Sequence, residues 1–161
     1  MKDQNRKRVR FFGKICFILY IGFIIYFLIF SDWYGRTTTG MEEYHYNLVL
    51  FKEIKRFWEY RHQVGMFAMF TNLFGNVFIF MPFGFFMPMA SRYHSFFSAV
   101  FWSFALSLGV ETFQLFSKVG CFDVDDLLLN TIGGALGYVV YVLCVWVRRR
   151  YVHRKKKYRR K

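Results

Sequence analysis

Four stretches of about twenty predominantly apolar residues constrain this chain more than anything else in it: Phe11–Phe30, Met66–Met89, Phe96–Phe116 and Leu127–Val147. A bilayer asks for about 20 such residues per spanning helix, and lipid offers no partners for backbone polar groups outside a helix's own ladder. The expected fold is therefore all-α, a polytopic membrane protein with four transmembrane helices. Composition agrees, since 55% hydrophobic and 24% aromatic residues are too many for an ordinary soluble domain of 161 residues. Lys14 lies close enough to the end of the first run to snorkel. A cleaved signal peptide is the rival reading of that run, but the run is too long and no small-x-small site follows at "IFSDWYG".

Charge orients the helices. Six Lys/Arg fall between Met1 and Lys14 and ten between Arg148 and Lys161; the 133 residues between hold seven, against nine acids. The formal charge of +13 thus belongs to two tails, a basic N-terminus over 1–10 and a basic tail over 148–161, flanking a membrane domain over 11–147. Lys/Arg near helix ends stay cytoplasmic, so both termini are expected inside the cell membrane. An even number of spans is then required, and Arg92 in the link between spans two and three also faces inward. The acid-rich loops Ser31–Gly65 and Ser117–Asp126 face outward. Anionic lipid is the expected partner of the tails, and nucleic acid is not expected.

The outer loop carries an amphipathic segment, "NLVLFKEIKRFWEYR" (Asn47–Arg61). Leu50, Phe51, Ile54, Phe57 and Trp58 recur at helical spacing, with Lys52, Lys55, Arg56 and Glu59 opposite. That pattern predicts a helix on the outer leaflet with Trp58 at headgroup depth, or a lid packed on the helix bundle.

Polar residues interrupt the apolar spans at one depth. Given the topology, Asn72 and Asn76 lie in the outer third of span two and Glu111 and Gln114 in the outer third of span three. Asp123, Asp125, Asp126 and Asn130 lie at the outer entrance of span four. Asn72 and Asn76 are i,i+4, Glu111 and Gln114 are i,i+3, and Asp123, Asp126 and Asn130 run i,i+3,i+7, so each set lines one helical face. A polar stripe at a shared level on three helices predicts an outward-facing polar cavity. Simpler roles exist for most members. Asp123 or Asp125 can cap span four, and the amides can serve as interhelical glue. Glu111 is the member hardest to dismiss, because an ionisable carboxyl within a span is costly and marks function by default. Asp125 sits about 100° round the helix from Asp126 and is expected to matter less. Pro82 and Pro88 bend span two, and Gly133 with Gly137 forms a small-xxx-small packing pair.

The stretches "TNLFGNVFIFMPFGFFMP" (Thr71–Pro88), "SLGVETFQLF" (Ser107–Phe116) and "FDVDDLLLNTIGGALGY" (Phe122–Tyr138) together resemble the VanZ-like family of small bacterial integral membrane proteins. "NLVLFKEI" (Asn47–Ile54) resembles the family's Asn-Leu-x-Pro-Phe segment, with Leu50 where the family usually has Pro. Matching positions are Asn72, Asn76, Pro82, Gly84, Glu111, Gln114, Asp123, Asp126, Asn130 and Gly133, and Arg36 matches an Arg of the first outer loop. The resemblance implies an envelope role, the founding member being associated with low-level resistance to the glycopeptide teicoplanin; it implies no agreed biochemical activity.

Two function classes follow. In one, the cavity residues Asn72, Asn76, Glu111, Gln114, Asp123, Asp126 and Asn130 bind a membrane lipid or cell-wall precursor and so lower glycopeptide susceptibility. In the other, the protein is an intramembrane enzyme acting on a lipid-linked substrate, with Glu111 as general acid or base and Asp126 or Asp123 orienting the substrate or holding a divalent ion. A small transporter is a third reading. No cofactor and no resident metal are expected: His45 and His62 lie in the outer loop, His94 inside and His153 in the tail. Cys16, Cys121 and Cys144 suggest no disulfide framework or metal spacing. Ser107, one turn before Glu111, has no nearby His and reads as a packing residue.

Overall fold

The apolar runs do become helices, and their polar interruptions decide how those helices meet. The computed structural model describes residues 2–30, 44–59, 66–92, 94–118 and 120–158; within these, the side chains of 2–10, 27–30, 53, 57, 66–69, 71, 72, 153, 154 and 156–158 are left aside. Arg36, Tyr60 and Arg61 lie outside the described residues, as does the side chain of Asn72. In chain order the elements are α1 (Lys2–Phe30), β1 (Tyr46–Asn47), α2 (Lys52–Glu59), α3 (Met66–Ala90), α4 (Phe96–Phe116), β2 (Phe122–Asp123) and α5 (Val124–Tyr158). Among the described residues, three helices are long and apolar enough to cross a membrane: α3 over Leu73–Ala90, α4 over Phe96–Phe116 and α5 over Val124–Val152. The apolar part of α1 is shorter, Phe11–Tyr26. Both terminal helices run on past their apolar stretches into the basic ends, and Arg150 stacks over the Trp146 ring at 3.9 Å there.

Each helix pair has a legible direction. Gly13 meets Met89, the Phe17 ring lies 5.5 Å from that of Phe83, and the Tyr20 hydroxyl donates to the Ile79 carbonyl, so α1 runs antiparallel to α3. Val77 faces Gly133 and Met81 faces Gly137, so α3 and α5 run parallel. Asn130 meets Ser107 and the Tyr138 hydroxyl donates to the His94 carbonyl at 2.7 Å, so α4 is antiparallel to α5. The α3–α5 crossing depends on glycine. A Cβ at Gly84, Gly133 or Gly137 would lie 1.8, 2.3 and 1.8 Å from the backbone oxygens of Gly134, Val77 and Met81. Only main chain without side chains permits that approach. α3 continues as helix through Pro82 and Pro88. The apolar core joins Tyr20, Ile24, Phe80, Phe83, Met87 and Val110.

Outside and inside are inverted relative to a soluble domain. Phe97 is 82% exposed, and Ile18, Leu19, Phe78, Phe101 and Phe116 also face outward, while Asn76, Ser103, Ser107, Glu111, Gln114, Asp125 and Asn130 are buried. Exposed apolar surface on this scale suits lipid, and polar groups facing the bundle interior are what a hydrocarbon surround demands.

The expected helix over Asn47–Arg61 is corrected by the structure. α2 begins only at Lys52, because Tyr46 and Asn47 pair with Phe122 and Asp123 as a two-stranded parallel sheet, and Phe51 takes a left-handed conformation (φ 63°) that turns the chain before the helix starts. Parallel pairing across 76 positions is invisible to local periodicity, which read Asn47 to Phe51 as helix.

Candidate functional site

Most of the polar residues converge at one end of the bundle, opposite the basic ends of α1 and α5. α5 opens with Asp123 as its N-cap: the carboxylate accepts from the Asp125 N–H at 2.8 Å, satisfying one of the free donors of the first turn. The Asp123 N–H donates to Glu111 Oε2 at 3.1 Å, which ties the start of α5 to the C-terminal third of α4. The strand register brings Asn47 alongside, and its Nδ2 donates to both Asp123 oxygens at 3.3 and 3.2 Å. Asn47 Oδ1 accepts from the Val49 N–H at 3.3 Å, closing the turn toward α2. Burial pushes the Asp123 carboxyl above the ordinary range, opposed by the Asp125 N–H, the Asn47 amide and the Arg56 charge and reinforced by the Asp125 charge.

Asp125 departs from expectation. It is 1% exposed, and its carboxylate accepts from the Phe51 N–H at 2.5 Å and the Ile54 N–H at 3.5 Å. Phe51 precedes α2 and has no side chain that can cap it, so a carboxylate from another helix supplies what an N-cap would supply locally. Asp126, by contrast, is half-buried and accepts from Asn76 Nδ2 on α3 at 2.5 Å. The first turn of α5 is covered on two sides, by α2 and by α3, so the 100° between Asp125 and Asp126 separates two anchoring contacts.

One turn deeper, Asn130 Nδ2 donates to Ser107 Oγ at 2.9 Å, while the buried Asn130 Oδ1 has no partner among the described residues. Gln114 is buried beside Gly120. Of the seven residues expected to line a cavity, then, the structure joins Asn76, Glu111, Asp123 and Asp126 in direct contacts with β1 or with neighbouring helices. It sets Asn130 beneath them and Gln114 beside them, and the Asn72 side chain is not among those described. The polar side chains meet one another as a hydrogen-bonded cluster. Among the described residues no three His, Cys, Asp or Glu side chains converge as metal ligands would.

The chain matches the VanZ/LLP1 family over residues 17–145. It belongs to the VanZ/LLP1 family. This member is 34% identical to Protein VanZ of Enterococcus faecium over 74 residues, a match that covers 46% of this chain and 46% of that protein. The similarity therefore spans less than half of that relative's length. No solved structure matches the VanZ/LLP1 chain.

Two residues of this VanZ/LLP1 site escaped sequence reasoning. Asn47 fell inside a segment with helical periodicity, and Asp125 fell off the stripe defined by Asp126 and Asn130. The available signal was the local pattern Asp-x-Asp-Asp at a helix start: one carboxylate is enough to cap a helix, so two more at the same turn call for partners elsewhere.

Proposed function

We propose that this VanZ/LLP1 protein acts at the cell envelope to lower susceptibility to teicoplanin-type glycopeptides, by binding a lipid or cell-wall component at the acidic end of its helix bundle. In this reading α1 is a fourth span, both termini are cytoplasmic, and the cluster of Asn47, Asn76, Glu111, Asp123, Asp125 and Asp126 faces outward. The observation that carries it is the polarity of the fold. Buried carboxyls gather at one end, beneath a strap formed by β1 and α2, and the basic helix ends lie at the other. Lys/Arg near helix ends favour the cytoplasm, and acids buried among membrane helices are retained for function by default. The strap covers the cluster, so a ligand would reach it by displacing α2 or by way of half-buried Asp126. Binding is favoured over catalysis because Glu111 Oε2 already holds the Asp123 N–H at 3.1 Å, a task that a general acid or base would have to interrupt.

The test is Glu111→Gln, scored as glycopeptide susceptibility in cells holding equal amounts of variant and parent in the membrane. Gln retains an oxygen that can accept from the Asp123 N–H but cannot ionise, so protection should disappear while thermal melting in detergent stays close to that of the parent. Asp126→Asn should behave in the same way. A Glu111→Gln variant that inserts, melts normally and protects as well as the parent would remove the carboxyl from any role in function.

A further inference from the structure

One part of the strap turns its apolar side chains outward. Leu48, Val49, Leu50 and Phe51 are consecutive and 64%, 63%, 45% and 44% exposed. They lie between β1 and α2, and hydrogen bonds hold them in a defined turn. The Val49 N–H donates to Asn47 Oδ1, the Phe51 N–H to the Asp125 carboxylate, and the Lys52 N–H to the Val49 carbonyl at 3.3 Å. A projecting apolar run marks a contact surface. Backbone donors already matched within the protein are what a loop needs to enter surroundings that offer it no water.

Hydrogen bonds also set the depth of the run. The Phe51 and Ile54 N–H groups both end on Asp125, and the membrane-length apolar stretch of α5 begins one residue earlier, at Val124. The run is therefore level with the boundary of a span. Phe116, 72% exposed at the end of α4, lies within two turns of Glu111, which receives the Asp123 N–H at that same level, and exposed aromatic side chains at such a boundary suit the membrane interface. Immediately after the run, Lys52 and Lys55 are exposed and, three residues apart, share one face of α2. Apolar side chains followed by cations match the order of a leaflet, acyl chains and then phosphate. A symmetric contact with a second copy would instead bring the same lysines together. We infer that Leu48–Phe51 is a membrane-inserting loop, which anchors the strap in the lipid leaflet at the acidic end of the bundle with Lys52 and Lys55 at the level of the phosphates. Insertion requires only that the bundle spans a membrane, and it holds whether or not the cluster beneath the strap acts on glycopeptide susceptibility.

The test places a small fluorophore on Val49→Cys in the full chain, with the three exposed native thiols removed as Cys16→Ser, Cys121→Ser and Cys144→Ser. The protein is held in nanodiscs carrying a single copy each, so that no second copy can cover the loop. Quenching is read with lipids bearing a nitroxide on the headgroup or high on the acyl chain, and with iodide in the water. The label should report a depth of about 5–10 Å below the headgroup boundary, with the acyl-chain nitroxide the strongest quencher and iodide a weak one. A label on Leu48→Cys should agree. Adding Leu48→Asp and Leu50→Asp to the Val49→Cys chain should release the loop, with lipid quenching lost and iodide quenching gained. Quenching of the Val49 label by iodide alone would leave the loop in water, and quenching by neither would place it under the protein's own surface; either result would overturn the inference. So would lipid quenching that survives both Asp substitutions, since the apolar side chains would then not be what holds the loop. The profiles of the Leu48 and Val49 labels stand even if the Asp-bearing chain does not insert. An aqueous loop together with loss of glycopeptide protection in Glu111→Gln would mean that the anchor is wrong and the role of the cluster stands.

Discussion

Replacing Asp125 by Ala tests whether α2 is held by the first turn of α5. α2 has eight residues, and isolated helices shorter than about 12–15 residues are marginal in water, so its order must come from its attachments. The Asp125 carboxylate receives the Phe51 N–H at 2.5 Å and the Ile54 N–H at 3.5 Å. A hydrogen bond to a charged acceptor contributes about 1.5–3 kcal/mol; the longer contact is at the edge of usefulness and adds little. Phe51 also occupies a left-handed conformation, which costs roughly 1–2 kcal/mol for a residue with a Cβ and which the short contact helps to offset. Since Phe51 is itself about half exposed, water can replace part of the lost bond, and the net loss should sit near the lower end, about 1.5–2 kcal/mol. At 1.4 kcal/mol per factor of ten, the opening of α2 should become roughly 10- to 30-fold more frequent. Hydrogen exchange read by mass spectrometry on the peptide covering 48–59 should quicken by that factor, with little change in α3, α4 or α5. Asp125→Asn, which keeps one acceptor oxygen, should fall between parent and Ala. Unchanged exchange of the 48–59 peptide in a folded Asp125→Ala protein would show that the carboxylate does not hold the strap.

Three further outcomes are expected. Gly137→Ala places a Cβ 1.8 Å from the Met81 carbonyl oxygen, where backbone cannot yield, whereas a Cβ at Gly22 meets nothing within 4 Å; the first should lower the melting temperature in detergent by the equivalent of about 1–3 kcal/mol or more, the second should leave it unchanged or raise it, and equal effects would contradict the α3–α5 crossing. Because burial raises the Asp123 carboxyl above its unfolded value, its contribution to stability is fully present below about pH 4 and is lost as pH rises through the folded value. Asp123→Asn should therefore gain on the parent in melting temperature as pH rises from about 4 to 7, and a pH-independent difference between the two would reject that reasoning. Reporters fused after Lys161 and inserted within Thr37–Gly40 should label on opposite sides of the membrane, and a C-terminus on the outer side would mean that the number of spans is miscounted.

The helices were legible because a hydrophobic run of bilayer length admits few backbone solutions, and the separation of basic helix ends from the acidic cluster was legible because the basic residues are confined to the two tails. Glu111, Gln114, Asp126 and Asn130 were legible as a group because helical spacing alone places them on shared faces. Gly133 and Gly137 announced a close crossing in advance, but not that the surface received is the backbone of α3 at Val77 and Met81.

Asn47 and Asp125 were beyond reach of the same reasoning. Their roles depend on a parallel pairing of Tyr46–Asn47 with Phe122–Asp123 and on α2 docking over the start of α5, contacts between segments more than seventy residues apart in the chain. Periodicity reports which face a residue shares with its near neighbours; it carries no information about what arrives from elsewhere to cover that face. By itself the sequence determined that this chain makes apolar helices with acids at one end and bases at the other, since burial in lipid and charge act residue by residue. Only the tertiary structure decided that those acids would be spent on the backbone N–H groups of a strap and of a helix start, since hydrogen bonds need two partners and the second came from a distant part of the chain.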